Sequence, residues 1–357
     1  MVWWFLLACG GASDDGTASD APDDSDTALV DTSAPIPTPL AYDFAEAHPW
    51  YPCPEGPIAA DAVWVPLLEE TVQDFGDPST REVLSTVELP AGSWSQVGLQ
   101  LQLSCPVGGR CDAWDREASL RLLGGDDADD LELLRYITPY GTGMCAFVDL
   151  TDLSDRLTGT QTVESWIDTW VSPGHSDGDG WLVDASLVFL PGQPERTVET
   201  VAVWTRQRVV VGDPMRPISD QLPPVQIELP DDVVGVEARV VTTGHGFGFT
   251  DNCAEFCKLD NHVTVGTAVV VSDPWRSNCS KNPVRPQAGT WEYRRNGWCP
   301  GAVANAKTVD VTDGVSAGTT VDVSLDILQP DGSVYVDGSG ADGDPFVDVS
   351  VVLLLER

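Results

Sequence analysis

The sequence predicts an all-β protein of two sandwich-sized domains behind an acidic tether. Three observations carry that expectation. From about residue 60 onward, short apolar-polar alternations are broken by Gly, Pro, Asp and Asn. No stretch keeps helical periodicity over three turns. The chain, at 357 residues, is long enough for two domains with sizeable cores. Regularly spaced short strands with turn punctuation suit a β-sandwich or jelly roll.

The elements follow in chain order. The opening "MVWWFLLACGG" reaches a cysteine through Leu6, Leu7 and Ala8. It resembles a bacterial lipoprotein signal, so residues 1–9 are expected to be a short signal with Cys9 as the acylated first residue. No basic residue precedes the apolar run, and the run falls short of the about 20 residues that span a bilayer. Residues 10–45 are mostly Asp, Ser, Thr, Ala and Pro, with nothing to build a core, and read as a disordered acidic tether. Together these predict an exported protein: a cell-surface or outer-membrane lipoprotein, or a secreted or periplasmic one. Strands are read at Val87–Cys105, Ser165–Val171, Trp181–Leu190, Thr200–Gly212, Val236–Gly244, His262–Val271 and Val347–Arg357. The Gly/Pro-rich "LPGQPER" (Leu190 to Arg196) is the best boundary, giving an N-terminal domain at 46–194 and a C-terminal domain at 195–357.

The net charge of -37, with no Lys or Arg before Arg81, argues against a nucleic-acid partner and against anionic lipid headgroups. A solvated acidic surface suited to a salty habitat explains it. The sharper alternative is calcium in "GGDDADD" (Gly124 to Asp130) or "DGSGADGDP" (Asp337 to Pro345), neither of which has EF-hand spacing. Beyond Cys9, the cysteines are Cys53, Cys105, Cys111, Cys145, Cys253, Cys257, Cys279 and Cys299. In an exported chain an even set without Cys-x2-Cys or Cys/His pairs points to disulfides rather than zinc.

Two short stretches set acids beside cysteines. In "NCAEFC" a bridge between Cys253 and Cys257 would force a tight turn and hold Glu255 on a rigid knuckle. In "CDAWDREASL" Asp112 and Asp115 follow Cys111 directly. Clamps of that kind suit a preorganised site, although exported β domains also simply collect disulfides. In "VESWIDTWV" alternation puts Val163, Ser165, Ile167, Thr169 and Val171 on one face and Glu164, Trp166, Asp168 and Trp170 on the other. A carboxylate between two indoles suits a sugar site; the plainer reading is a sandwich core with an acid at its rim.

With "RYITPYGTG" (Arg135 to Gly143), "VVTTGHG" (Val240 to Gly246) and "GWCPG" (Gly297 to Gly301), these motifs occur in an order that resembles the peptide-N-glycosidase F family, the bacterial amidases that remove Asn-linked glycans. The resemblance runs from about residue 64 to the C-terminus. It implies two adjacent eight-stranded antiparallel jelly rolls with the site in the cleft between them. It also implies bridges Cys105–Cys111, Cys253–Cys257 and Cys279–Cys299, leaving Cys53–Cys145 as a guessed fourth.

The resemblance places the main catalytic acid on Asp115, a second on Glu255 and a third on Asp168, where the family has a glutamate. It implies that Trp114, Arg116, Trp170, His245, Arg295 and Trp298 bind or order the glycan. The family's tryptophan in Gly-Trp-Gly-His is missing from "TTGHGFG". The activity implied is hydrolysis of the amide between asparagine and N-acetylglucosamine in a glycoprotein or glycopeptide, giving aspartate and a glycosylamine, by a monomer without metal or other cofactor. Asp115 would activate water or polarise the amide, Glu255 would orient that water or the first sugar, and Asp168 would hold a sugar hydroxyl. Two rivals share the fold. A non-catalytic glycan-binding lipoprotein would keep the tryptophan faces. A copper monooxygenase would need more ligands than His48, His175, His245, His262, Met144 and Met215 provide without a His-x-His pair.

Overall fold

The computed structural model describes residues 50–54, 58–125, 130–246, 253–337 and 345–357. The expected signal with Cys9, the tether, and most of the two Asp-rich loops lie outside the described residues.

Eight strands precede residue 192: β1 (Val63–Gln73), β2 (Glu82–Leu89), β3 (Trp94–Ser104), β4 (Glu117–Leu123), β5 (Leu131–Ile137), β6 (Met144–Asp149), β7 (Gly159–Ile167) and β8 (Trp181–Pro191). They form two antiparallel sheets, β1-β8-β3-β6 and β2-β7-β4-β5. The second half holds β9 (Val198–Val210), β10 (Val225–Glu228), β11 (Gly235–His245), β12 (Asp260–Val265), β13 (Ala268–Ser272), β14 (Trp275–Arg276), β15 (Arg295–Asn296), β16 (Ala302–Val303), β17 (Lys307–Asp310), β18 (Thr320–Leu328) and β19 (Phe346–Glu356). Its two four-stranded sheets are β17-β11-β19-β9 and β10-β18-β12-β13. The expected pair of eight-stranded jelly rolls is present. A strand from the second half, β16, also extends the first half's sheet at β5.

Among the described residues the longest α-helix is Ile218–Gln221. The inner face of "VESWIDTWV" holds, with Val163, Ser165, Ile167, Thr169 and Val171 all buried, and Trp170 is exposed; Glu164, on the other face, is buried as well, because it pairs with Arg121. β7 itself ends at Ile167, short of the expected Val171. The chain leaves the sheet there because Thr169 turns inward and donates its hydroxyl to the buried Asp112 carboxylate at 2.7 Å. Val87–Cys105 and His262–Val271, read as single runs, each divide into two strands at a turn.

β19 explains how the halves are joined. Its residues Val347, Val349, Val351, Leu353 and Leu355 pack in the second core, while Val352 and Leu354 pack in the first. Successive side chains point to opposite faces of a strand, so one strand serves both cores. Burial on both faces accounts for the near-continuous apolar run that closes the sequence. On the first-half face, Asp348 and Ser350 meet buried polar groups. Arg135, fully enclosed, pairs with Glu132 and donates to the Asp348 carbonyl at 2.6 Å. All four bridges are formed, with Cα separations of 5.6 Å (Cys53–Cys145), 4.3 Å (Cys105–Cys111), 4.9 Å (Cys253–Cys257) and 5.4 Å (Cys279–Cys299).

Candidate active site

The start of β4, the end of β5 and the end of β7 lie together, because Glu117 pairs with Ile137 and Ala118 with Ile167. The loops leaving that edge carry Asp112 to Arg116, Thr138 to Tyr140, and Asp168 to Trp170. In the second half, β11 ends at Gly244 and His245, with the Cys253–Cys257 loop against it. Gly244 is required there: a Cβ would collide with the Ala254 carbonyl and the Asn296 side chain. β15 supplies Arg295, whose neighbour Asn296 donates its backbone N–H to the Glu255 carbonyl at 2.8 Å.

Arg295 is the hub. Its guanidinium is 1% exposed and reaches Asp115 at 3.5 Å and Glu255 at 3.3 Å, bringing one acid from each half onto one cation. It is held in place by the carbonyls of Thr290 and Tyr293 and by the faces of Trp298 and Phe256, 4.7 and 5.0 Å from the ring centres. The two carboxylates keep an open edge, at 17% and 13% side-chain exposure. Tyr140 donates its hydroxyl to Asp115 at 2.6 Å and meets Thr290 at 3.2 Å.

One cation for two buried acids sets their protonation. Burial raises Asp115 above the ordinary carboxylate value, against the Tyr140 hydrogen bond and the Arg295 charge. Glu255 is pushed up to about 7, by burial first; Arg295 opposes the rise and the Asp115 charge adds to it. Burial and the adjoining Asp115 carboxylate likewise raise the Tyr140 phenol, so it remains a donor. A carboxyl near 7 is matched to proton transfer at neutral pH.

The wall beside Asp115 is organised by Asp112, which is fully buried. It accepts from Arg116 Nε at 2.7 Å, from the Trp114 backbone N–H at 3.0 Å and from Thr169 at 2.7 Å. Those bonds fix the two indoles that stand half in solvent, Trp114 at 50% and Trp170 at 52% exposure.

Asp168 sits elsewhere than with the other two acids: its partner is Arg81, not Arg295. His245 and Trp298, expected to contact glycan, occupy supporting positions. Trp298 is buried and gives its indole N–H to the Gly244 carbonyl at 2.8 Å. His245 is stacked between Trp298 and Phe346, its Nε2 lies 2.9 Å from the Thr243 hydroxyl, and burial lowers it to about 3, leaving it neutral.

Glu117, His245 and Asp348 place ligand-type atoms within 4.8 Å of one another, a donor set that would suit a metal. Arg208 already fills that role. It donates to both oxygens of Asp348, at 3.0 and 2.9 Å, and to Glu117 at 3.0 Å.

Sequence reasoning did not assign roles to Tyr140, Asp112, Thr290, Phe75 or Arg81. Tyr140 lies in a quoted motif, and Arg81 is the first cation of a cation-poor chain, which is itself a signal.

Residues 216–338 match the family described as peptide-N-glycosidase F, C terminal. The chain is similar to peptide-N-glycosidase F. It is 24% identical over 278 residues to the peptide-N(4)-(N-acetyl-beta-D-glucosaminyl)asparagine amidase F of Elizabethkingia miricola, covering 73% of this chain and 76% of that protein. The solved structure of PNGase F, a glycosylasparaginase from Flavobacterium meningosepticum, superposes with a TM-score of 0.71 at 21% identity, over 83% of this chain and 96% of that one. PNGF-II superposes at 0.65 and 17% identity, over 83% of this chain and 65% of that one. The superpositions bear out the fold expected from the motifs.

Proposed function

We propose that the chain is an amidohydrolase that cleaves the bond between asparagine and N-acetylglucosamine in N-linked glycoproteins and glycopeptides. The observation that carries this reading is the meeting of Asp115 and Glu255, one from each jelly roll, on the buried Arg295 beside two half-exposed indoles. Sugar rings stack on exposed aromatic faces, and Trp114 and Trp170 offer two.

The chemistry needed is addition of water to a poor electrophile, then loss of the sugar-bearing nitrogen. Asp115, held by the Tyr140 O–H and the Arg295 guanidinium, accepts a hydrogen bond from the amide N–H or the attacking water. Glu255, retaining its proton up to about pH 7, gives that proton to the departing nitrogen or takes one from water. The C–N bond breaks; the carbonyl carbon keeps the water oxygen as an aspartate carboxylate, and the nitrogen leaves as a glycosylamine. Arg295 offsets charge as it develops, in a setting where a fixed guanidinium needs no reorganisation.

The reading also takes the protein to be exported and monomeric, tethered through a lipid on Cys9. The motif Leu6-Leu7-Ala8-Cys9 and the acidic stretch behind it support that part.

Incubation of the purified protein with a denatured N-glycoprotein, followed by peptide mass spectrometry, tests the activity. The expected result is conversion of glycosylated Asn to Asp, abolished in Asp115→Asn. Glycan binding with no conversion under any condition would instead establish a binding protein on this fold.

A further inference from the structure

Asp168 stands apart from Asp115 and Glu255, with Arg81 as its partner, and its surroundings say what it does there. The loop between β1 and β2 is fastened to the end of β7. Phe75 N–H donates to the Val171 carbonyl at 2.7 Å, and the Ile167 N–H donates to the Arg81 carbonyl at 2.9 Å. That fastening places the Arg81 guanidinium over Trp170, 4.3 Å from the ring centre, with Phe75 tilted against the same indole at 5.0 Å. The guanidinium is ion-paired to Asp168. Its Nε is buried and has no hydrogen-bond partner among the described residues. Arg116 is close enough for its charge to lower the Arg81 pKa, after burial. Arg116 in turn is tied to Asp112, the carboxylate that fixes Trp114 and Thr169. The Arg81 group is therefore continuous with the wall of the Asp115 site.

We propose that Arg81, with Phe75 and Trp170, forms the sugar-contacting subsite of this chain, and that Asp168 serves as its counterion rather than as the sugar's hydrogen-bond acceptor. The inference rests on the glycan reading above and names what the subsite recognises. The planar fork carries five N–H donors and no acceptor, so Arg81 offers a sugar oxygen the donors that the Asp168 carboxylate cannot. Both nearby arginines are balanced by an acid, Arg81 by Asp168 and Arg116 by Asp112. The subsite therefore favours neutral sugars that present oxygen acceptors, such as acetamido carbonyls and ring or hydroxyl oxygens, over anionic ones. Phe75, at 43% exposure, extends the apolar floor.

The test compares Arg81→Ala, Arg81→Lys and Asp168→Asn, measuring kcat and KM on an N-glycopeptide. The same three changes in an Asp115→Asn background are measured for glycopeptide affinity by calorimetry. Loss of one charge-assisted hydrogen bond corresponds to roughly a tenfold change in affinity. Arg81→Ala is expected to raise KM and Kd by about that factor with kcat within about twofold. Arg81→Lys, which keeps the charge but not the fork, should recover only part of the loss. Asp168→Asn should cost about threefold or less. An Asp168→Asn loss equal to or above that of Arg81→Ala would make the acid the sugar contact and overturn the proposal; so would unchanged affinity in Arg81→Ala. Absence of turnover in the unmodified protein would fail the amidase reading alone, because the affinity series still decides the role of Arg81.

Discussion

Replacing Glu255 by Gln should remove turnover and, at alkaline pH, stabilise the protein. The Glu255 carboxyl titrates at about 7 in the folded chain against an ordinary value of 4.5, chiefly because burial penalises its charge. Below about pH 4.5 both folded and unfolded chains carry the proton, and the group contributes no pH-dependent cost. Between there and pH 7 the unfolded chain ionises while the folded chain holds its proton, so folding loses stability as pH rises. Above 7 the folded carboxyl ionises too, and the full difference has accumulated. A gap of about 2.5 units corresponds to roughly 3 kcal/mol. Glutamine mimics the protonated form in shape and cannot ionise. The variant should thus unfold at about the same temperature as the parent at pH 4.5. At pH 8 it should unfold about 6 °C higher, taking roughly 2 °C per kcal/mol for a chain of this size. Thermal unfolding of both proteins by circular dichroism, from pH 4.5 to 8.5, isolates this group together with its coupling to Asp115, since titrations remote from the pair cancel in the difference. Turnover, followed by mass spectrometry on the same samples, should fall by about two orders of magnitude or more. A melting difference that stays flat, or turns against the variant at high pH, would refute the reasoning. It would mean that Arg295 stabilises the ionised carboxylate by more than burial opposes it.

Two further outcomes follow from the same geometry. Tyr140→Phe removes the 2.6 Å donor that holds the Asp115 pKa down. Its pH–rate profile should therefore show the acid limb moved to higher pH, with the largest loss of rate below neutrality; an unshifted limb would detach Tyr140 from Asp115. The bridges should separate stability from function. The Cys253–Cys257 bridge spans a sequence separation of 4 and the Cys53–Cys145 bridge one of 92. Loop-closure entropy gives about 2 kcal/mol for the first and about 4–5 kcal/mol for the second. Opening the small one by Cys→Ser pairs should lower turnover more than denaturation midpoint, and opening the large one the reverse.

A strand with one buried face leaves a visible stripe of period two, yet β18, which alternates cleanly, is absent from the strands predicted from the sequence. Val163 to Val171 kept that stripe even past the end of β7, since Thr169 and Val171 remain buried after the chain has left the sheet. β19 was legible as a strand but not as a seam, because burial on both faces erases the alternation that would say which core it serves. At the site, Asp115 and Glu255 were legible through the cysteines beside them and the family motifs. Tyr140 was not, since its contact with Asp115 spans 25 residues and depends on the register of β4 against β5. Arg81 was hidden for a similar reason. Its loop reaches Asp168 only through the pairing of β2 with β7. His245 and Trp298 were read as substrate contacts because motifs report position in the chain and not depth. Stacked against each other under Arg295, they set its height instead.

The molecule uses one charge arrangement twice. At the candidate site a single guanidinium, Arg295, serves Asp115 and Glu255; at the seam a single guanidinium, Arg208, serves Glu117 and Asp348. At the site both acids are driven up; at the seam one is. Glu117 rises well above the carboxylate range through burial and the Asp348 charge. Asp348, despite burial, is held down by hydrogen bonds from Arg208 and Glu117. Two buried acids beside one directly paired cation keep a proton, and in a chain of net charge -37 cations are scarce enough for this to recur. What separates the two places is access. The seam acids have side-chain exposures of 7% and 2% and lie beside the stacked His245 and Phe346, so their retained proton can only hold the halves together. The Asp115 and Glu255 oxygens keep an open edge beside Trp114, so theirs can pass to a bound amide. Filling that edge, for instance with a tryptophan at Thr290 beside Tyr140, should turn the candidate site into a closed copy of the seam. The variant should stay folded by circular dichroism and lose glycopeptide turnover; retained turnover would show that access from that edge is not what makes the pair reactive.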